Sequence, residues 1–269
     1  KRGQSTYVVA KIERAEAIVN FDEIVTEADA IMIARGDLGV QIPLEDVPAV
    51  QKKLIHKANL LGRPVITATQ MLLSMTENIR PTRAEVSDVA NAILDGTDAV
   101  MLSEETAIGR YPVEAVEMIS KIATSAERER KAVRAMADLL AYFKTGPDSG
   151  DTTVEDIVSL NAVESANALN VRYILTHTQG RAAPCLISRF RPDCWILSHG
   201  GDEKTNNLLS LSYGVHPVHL DGETTGLADK AVRWLVTAGM VEKDERVIWV
   251  EDESLDDRLE TLSMKIIKA

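Results

Sequence analysis

One pattern occurs four times in the first 125 residues: a short apolar run, a turn, and a stretch with helical spacing. The runs end near Ile12, Ala34, Thr69 and Leu102. They are rich in β-branched residues and nearly uncharged, as parallel strands buried on both faces are. Consecutive β/α units of this kind predict a parallel sheet, and four of them make half of an eight-stranded (β/α)8 barrel. Such a half has two open sheet edges, which are a liability unless something covers them.

Recognisable start and stop signals delimit the helices between these runs. The apolar stripe over residues 47–61 is stopped by Gly62. Thr82, followed three residues later by Glu85, predicts a capping box at the start of the next helix. Pro112 occupies a position that proline tolerates at the start of a helix.

A second domain is predicted after a charged helical stretch, residues 121–144, and a linker, residues 145–150. Thr152 and Glu155 indicate a capping box for a helix that ends at Leu169. Strands are expected at 172–176, 194–197, 215–219, 246–250 and 264–267, and helices at 182–188, 203–211 and 227–241. This alternation predicts a small doubly wound α/β domain. The expected boundaries are 1–125 for the half barrel, 126–150 for the connection and 151–269 for the second domain.

Composition argues against several classes of function. A net charge of −11 and a pI of about 5.0 disfavour a nucleic-acid or anionic-membrane surface. No apolar run approaches the ~20 residues of a membrane span, and no secretory leader opens the sequence. Cys185 and Cys194 form no CxxC pattern, which favours a reduced, cytoplasmic protein. Because the chain begins at Lys1 without a methionine, just before a strand, we expect it to belong to a longer polypeptide.

Charged side chains follow the first two apolar runs. Lys11 and Glu13 are two residues apart, so on a strand they point to the same face, and Asp37 follows the second run. Ligands bind at the carboxyl ends of parallel strands, so these three side chains should meet there. Two carboxylates suit Mg²⁺, and an ammonium suits a phosphoryl group or a developing enolate. From these residues alone, a surface ion pair at a strand end remains an equal alternative.

Longer segments resemble a known family. AKIERAEAIVNFDEI, IARGDLGV, ITATQMLLSM and RPTRAEVSDVANAILDGTDAVMLSEETAIGRYPVEAV closely resemble the second half of the catalytic barrel of pyruvate kinases, nearly unbroken from residue 9 to residue 119. Residues 152–269 resemble the C-terminal domain of that family more loosely. The resemblance implies the last four β/α units of a TIM-type barrel followed by the α/β domain.

The resemblance also implies a reaction, the Mg²⁺-dependent transfer of a phosphoryl group from phosphoenolpyruvate to ADP, giving pyruvate and ATP in glycolysis. It assigns Lys11 as the catalytic lysine, and Glu13 and Asp37 as the ligands of Mg²⁺ or Mn²⁺. The backbone N–H groups of Gly36 and Asp37 would cradle the substrate carboxylate. Thr69 would contact the substrate and serve in the protonation of the enolate.

Ser103 is implied to support the same protonation step from the end of the fourth run. The loop after it departs from the family pattern. Glu104 and Ile108 stand where the family commonly has glycine and lysine, which removes a cation that could face nucleotide phosphate. The family further implies a homotetramer and a K⁺ site in the half of the barrel not seen here. We therefore expect the chain alone to be inactive, because part of the site and the closure of the barrel are missing.

A candidate effector site lies between the first strand and the second helix of the second domain. Thr176, Thr178, Gly180 and Arg181 combine hydroxyls with a helix start, which suits a phosphate and resembles the family's allosteric sugar-phosphate loop. The acidic segment 251–257 stands where the family usually has a glycine-rich closing loop, and its charge would repel phosphate. We expect no tight fructose 1,6-bisphosphate binding, which leaves another phosphorylated effector open.

Two alternative functions stay open at this point. A magnesium-dependent, enolate-forming lyase of a related barrel also uses Glu and Asp ligands, although Lys11 two residues before Glu13 argues against it. A non-catalytic module for effector binding or oligomerisation is the second alternative, and it belongs to a different class.

Overall fold

The structure is a computed structural model, and it describes residues 6–129, 152–177, 180–220, 226–252 and 262–269. The chain divides into two compact units, Lys1–Lys131 and Ala132–Ala269. The predicted linker 145–150 and the part of the preceding helix beyond Glu129 lie outside the described residues. Within the described ranges, no helix is both long enough and apolar enough to cross a membrane.

The first unit contains a parallel sheet whose four strands lie in the order β1-β2-β3-β4. The strands are β1 (Val9–Ile12), β2 (Ala30–Ala34), β3 (Val65–Ala68) and β4 (Ala99–Met101). Each corresponds to one of the apolar runs, so the predicted parallel sheet is confirmed. Ile12 lies beside Ile33, and Ala34 beside Ala68, so neighbouring strands end close to one another.

Seven helices in the described part of this unit connect or follow the strands. They are α1 (Ala15–Val19), α2 (Phe21–Glu27), α3 (Arg35–Gln41), α4 (Val47–Leu60), α5 (Arg83–Leu94), α6 (Glu104–Ala107) and α7 (Pro112–Glu129), with 3₁₀ turns at Leu44–Asp46 and Leu73–Thr76. The capping box predicted for α5 is present. Thr82 Oγ1 accepts from the Glu85 N–H, and the Glu85 carboxylate accepts from the Thr82 N–H. No residue separates β2 from α3, so the first turn of α3 lies directly at the strand end.

Two apolar clusters form the core of the first unit. One packs the sheet against α2 and α4, and includes Phe21, Ile31 and Leu54. The other joins α5, α7 and the segment after β3. By contrast, Val8, just before β1, and Val9, the first residue of β1, are 57% and 40% exposed. β1 lies at one edge of this sheet, and open edges are what a four-stranded half of a closed barrel has.

The second unit contains a five-stranded sheet in the order β7-β6-β5-β8-β9, with only β9 antiparallel. Its strands are β5 (Tyr173–His177), β6 (Trp195–His199), β7 (Val215–Pro217), β8 (Arg246–Asp252) and β9 (Leu262–Lys268). The helices in the described part of this unit are α8 (Val154–Leu169), α9 (Ala182–Ser188), α10 (Glu203–Leu209) and α11 (Leu227–Thr237). The structure therefore confirms the predicted order of strands and helices.

Both faces of this second sheet are buried. Leu175 and Trp249 pack with α11 on one face, whereas the alternate residues Ile174 and Ile248, which point to the other face, are fully buried as well. The prediction of a doubly wound domain is confirmed.

One predicted detail of this unit is wrong. The capping box of α8 uses Thr153 and Asp156 rather than Thr152 and Glu155. Threonine occupies both candidate cap positions, and an acidic residue follows each of them three residues later. The local pattern alone therefore could not choose between the two registers.

Candidate functional site

The structure brings together the three charged side chains predicted to meet. Lys11 lies on β1, Glu13 follows that strand, and Asp37 lies in the first turn of α3. Lys11 Nζ lies 3.0 Å from Asp37 Oδ2 and also forms an ion pair with Glu13. One ammonium therefore bridges two carboxylates that come from neighbouring β/α units.

The electrostatics of this cluster follow from those contacts. Hydrogen bonds to Glu13 and then Asp37 raise the pKa of Lys11, which further favours the charged ammonium. The hydrogen bond from Lys11 and its positive charge lower the pKa of Asp37. The side chains of Lys11, Glu13 and Asp37 are 46%, 37% and 57% exposed, respectively. The cluster is thus charged and open to solvent, as a binding site for an ion or an anionic ligand must be.

The donor atoms at this edge fit a hard divalent cation. Glu13 and Asp37 supply carboxylate oxygens, which Mg²⁺ prefers. Among the described residues, no group of three or more histidine, cysteine, aspartate or glutamate side chains is placed to hold a metal ion. Because Mg²⁺ is usually held by one or two carboxylates plus water and substrate oxygens, a pair of carboxylates is a suitable donor set.

Gly36 and Thr69 are directly linked. The Gly36 N–H donates to Thr69 Oγ1 at 2.8 Å, and that hydroxyl donates to the Ala68 carbonyl at 2.6 Å. A Cβ atom on residue 36 would lie 3.3 Å from Thr69 Oγ1, so a larger residue would crowd this contact. The sequence interpretation had the Gly36 N–H cradle the substrate carboxylate. In this structure the Thr69 hydroxyl is its acceptor.

The backbone that presents Thr69 has an uncommon conformation. Thr69 and Gln70 have φ values of 69° and 53°, so two successive residues lie in the left-handed region just after β3. For a β-branched residue such as threonine this is a true outlier, and such strain often marks functional sites. The sequence has no glycine or asparagine here to signal it.

Ser103 lies at the start of α6, and the sequence interpretation missed the residue that holds it. Glu105 is 1% exposed, and its carboxylate accepts from the backbone N–H groups of Ser103 at 2.8 Å and Leu72 at 3.0 Å. Glu105 therefore ties the loop after β4 to the loop after β3. By contrast, Glu104 and Ile108, the two departures from the family pattern, are exposed.

The candidate effector residues are only partly described. Thr176 lies on β5 and is 1% exposed, and its hydroxyl has no hydrogen-bond partner among the residues that the structure describes. Gly180 and Arg181 immediately precede α9. Thr178 lies outside the described residues, as does the acidic segment beyond Asp252.

Comparison with known proteins supports the same two-domain reading. The family described as pyruvate kinase, barrel domain, matches residues 1–116, and pyruvate kinase, alpha/beta domain, matches residues 156–267. A pyruvate kinase of Thermococcus litoralis is 47% identical over all of this chain, which covers 55% of that protein. One from Clostridium acetobutylicum is 43% identical over 91% of this chain and 51% of that protein. The chain spans about half the length of these curated relatives.

Solved structures show the same similarity. A crystal structure of a Cryptosporidium parvum pyruvate kinase matches 97% of this chain and 51% of its own, with 35% identity and a TM-score of 0.86. Another structure of that parasite's enzyme, in complex with ADP, matches with a TM-score of 0.83 and 35% identity, over 97% of this chain and 52% of its own.

The first unit is a parallel β/α sheet with a lysine and two carboxylates at its strand ends, and the second unit is a doubly wound domain. Together they define the class of protein, a partial TIM-type barrel followed by an α/β domain. The chain belongs to the pyruvate kinase family.

Proposed function

We propose that the full-length protein containing this chain is a pyruvate kinase. It transfers the phosphoryl group of phosphoenolpyruvate to ADP and releases pyruvate and ATP, a step of glycolysis. The observation that carries this proposal is the contact of Lys11 with both Glu13 and Asp37, within the residues that the barrel-domain family matches.

Lys11 supplies positive charge where negative charge develops. Its ammonium neutralises the oxygens of the transferring phosphoryl group and then the enolate oxygen. Its contacts with two carboxylates further favour the protonated form that this role needs. In the absence of substrate, the two carboxylates hold the ammonium in place.

Glu13 and Asp37 would hold Mg²⁺ or Mn²⁺ through carboxylate oxygens. When bound, such an ion would supply positive charge that offsets the negative charge of the substrate. Asp37 lies in the first turn of α3, where the helix dipole favours negative charge and the N–H groups lack intrahelical acceptors. The Asp37 N–H therefore suits the substrate carboxylate.

Thr69 completes the substrate contacts. Its hydroxyl can turn from the Ala68 carbonyl towards the bound carboxylate, or pass a proton through water to the enolate carbon. Ser103, held by Glu105, supports this proton path from the next strand end.

Several further properties are proposed from family membership. ADP and ATP are the nucleotides, which is supported by the ADP complex of the Cryptosporidium parvum relative. A K⁺ requirement, assembly as a homotetramer and a cytoplasmic location follow the family pattern. The 269-residue chain alone is expected to be inactive, because it spans about half the length of its curated relatives.

The proposal is tested by assaying the full-length protein with phosphoenolpyruvate, ADP and Mg²⁺, and separately with an acyl-CoA thioester. Pyruvate formation that depends on ADP and Mg²⁺ is the expected result. Turnover of the thioester without pyruvate formation from phosphoenolpyruvate would favour the lyase instead. Robust kinase turnover by the 269-residue chain would overturn the expected inactivity of that chain.

A second candidate function, effector binding by the α/β domain, is favoured by the buried hydroxyl of Thr176, which has no hydrogen-bond partner within the described ranges. We expect a sugar phosphate other than fructose 1,6-bisphosphate to raise the melting temperature of the chain without Mg²⁺, and Thr176→Val to abolish that shift. An equal shift of the melting temperature in Thr176→Val and in the unmodified chain would show that Thr176 is not part of the effector site.

A further inference from the structure

The strained turn after β3 is held by three charged side chains from three helices. The Arg35 guanidinium, on α3, donates to the carbonyls of Thr69 at 2.9 Å and Gln70 at 3.4 Å. Glu105, on α6, accepts from the Leu72 N–H. Glu85, on α5, accepts from the backbone N–H and the hydroxyl of Ser74. The loop that presents Thr69 is therefore fixed at its start, middle and end.

Arg35 is itself anchored away from the turn. Its side chain is only 9% exposed, and its Nη1 lies 2.7 Å from the carboxylate of Asp88 on α5. Nη1 also donates to Gln51 Oε1 at 3.4 Å. Anchoring one end of the guanidinium leaves Nη2 aimed at the turn. Only the planar fork of arginine can make both contacts at once, because lysine offers a single nitrogen.

The contact reaches the candidate site through Thr69. Its carbonyl is held by Arg35, and its hydroxyl receives the Gly36 N–H, the residue next to Arg35. Neighbouring residues of α3 therefore hold both the backbone and the side chain of Thr69. Without the guanidinium, the left-handed conformation of Thr69, with φ of 69°, loses the hydrogen bond to its own carbonyl, which opposes relaxation of the backbone.

We propose that Arg35 is a positioning residue that fixes Thr69 in its left-handed conformation and so aims its hydroxyl at the substrate. This inference rests on the proposed function for its effect on rate, but its structural part stands alone. It predicts that Arg35 affects the reaction rate only through the position of Thr69. Arg63 provides a matched control, since it too donates to backbone carbonyls, those of Val25 and Thr26, outside the site.

The structural part is tested by amide hydrogen exchange in the 269-residue chain. The Gly36 amide reports directly on Thr69, because Thr69 Oγ1 is its acceptor. Arg35→Lys should speed exchange of that amide at least about tenfold, approaching the rate in Thr69→Ala, while Arg63→Lys leaves it unchanged. Unaltered protection of the Gly36 amide in Arg35→Lys, when Thr69→Ala does expose it, would overturn the proposal.

The effect on rate is tested in the full-length protein by a double-mutant cycle. Misplacement of a substrate-contacting group by about 1 Å can cost about 100-fold, so we expect kcat to fall by about that factor in Arg35→Lys, with a smaller change in KM. Adding Thr69→Ala should cause little further loss, because both changes remove the same interaction. The proposal would be contradicted if the loss of kcat in the double variant equalled the product of the losses in the two single variants. Full activity of Arg35→Lys would contradict it as well. Absence of kinase activity in the unmodified full-length protein would instead refute the proposed function and leave the exchange result to decide the role of Arg35.

Discussion

The ammonium of Lys11 lies 3.0 Å from the carboxylate of Asp37, although 26 residues separate them in sequence. The contact exists because β1 pairs with β2 in parallel register, with Lys11 beside Met32 and the strand ends adjacent. Glu13 forms an ion pair with the same ammonium. The site is thus a product of sheet pairing.

The titration of Asp37 should depend on Lys11. Its pKa in the folded chain is lowered by the hydrogen bond and charge of Lys11. Because the pKa of Asp37 is lower in the folded chain than in the unfolded chain, the ion pair is complete above the pKa of the unfolded chain. It is lost as the pH falls through the lower pKa of the folded chain. We expect NMR to show Asp37 titrating below its usual range, and Lys11→Met to move the midpoint upwards.

Lys57→Met is the control for that titration, because Lys57 forms a similar ion pair with Asp22 elsewhere on the surface. It should leave the titration of Asp37 unchanged. An Asp37 midpoint that does not respond to the loss of Lys11 would show that the pair does not form in solution.

Metal affinity should depend on both carboxylates. Asp37→Asn and Glu13→Gln each remove an oxygen charge from the proposed site, and each should weaken Mn²⁺ binding to the full-length protein. The loss should exceed the roughly 10–100-fold caused by removing a partner that only supports a metal ligand. Electron paramagnetic resonance titration measures free Mn²⁺, and Asp22→Asn, at an exposed ion pair, should bind as the unmodified protein does. Equal affinities in all four proteins would exclude these ligands.

Glu105 should matter for stability, whereas its neighbour should not. In Glu105→Gln, an amide replaces one of two carboxylate oxygens that accept backbone N–H groups at a buried position. Leaving a buried N–H without an acceptor costs about 1–3 kcal/mol. Urea unfolding should show this loss, while Glu104→Gln, at an exposed position, should stay within about 0.5 kcal/mol of the original. Equal stability of the two variants would mean that the Glu105 contacts contribute little.

The strands of the first unit could be predicted because each carries its own signal. The run that ends at Ala34 is apolar at every position, and burial on both faces requires that composition. The convergence of Lys11, Glu13 and Asp37 followed from one rule, that parallel strands end at a common edge. Both inferences needed only local pattern and strand polarity.

The surroundings of Thr69 could not be predicted in the same way. Nothing in the ATQM segment indicates two left-handed residues, because the interactions that hold them come from Arg35, 34 residues earlier. Likewise, adjacent Glu104 and Glu105 are chemically identical, and only tertiary contacts decide that the second is buried. Such contacts between residues far apart in the chain leave no periodic pattern in the sequence.

Replacement of Lys11 is the sharpest test of its proposed role in phosphoryl transfer. In the full-length protein, Lys11→Met should retain the far-UV circular dichroism and melting behaviour of the original, because the side chain is 46% exposed. Its rate of pyruvate formation from phosphoenolpyruvate and ADP should fall by about 100-fold or more, the order of loss seen when one preorganised electrostatic group is removed from an active site. Lys57→Met should keep the full rate. A Lys11→Met protein that is folded and forms pyruvate at the rate of the unmodified protein would show that Lys11 is not a catalytic residue.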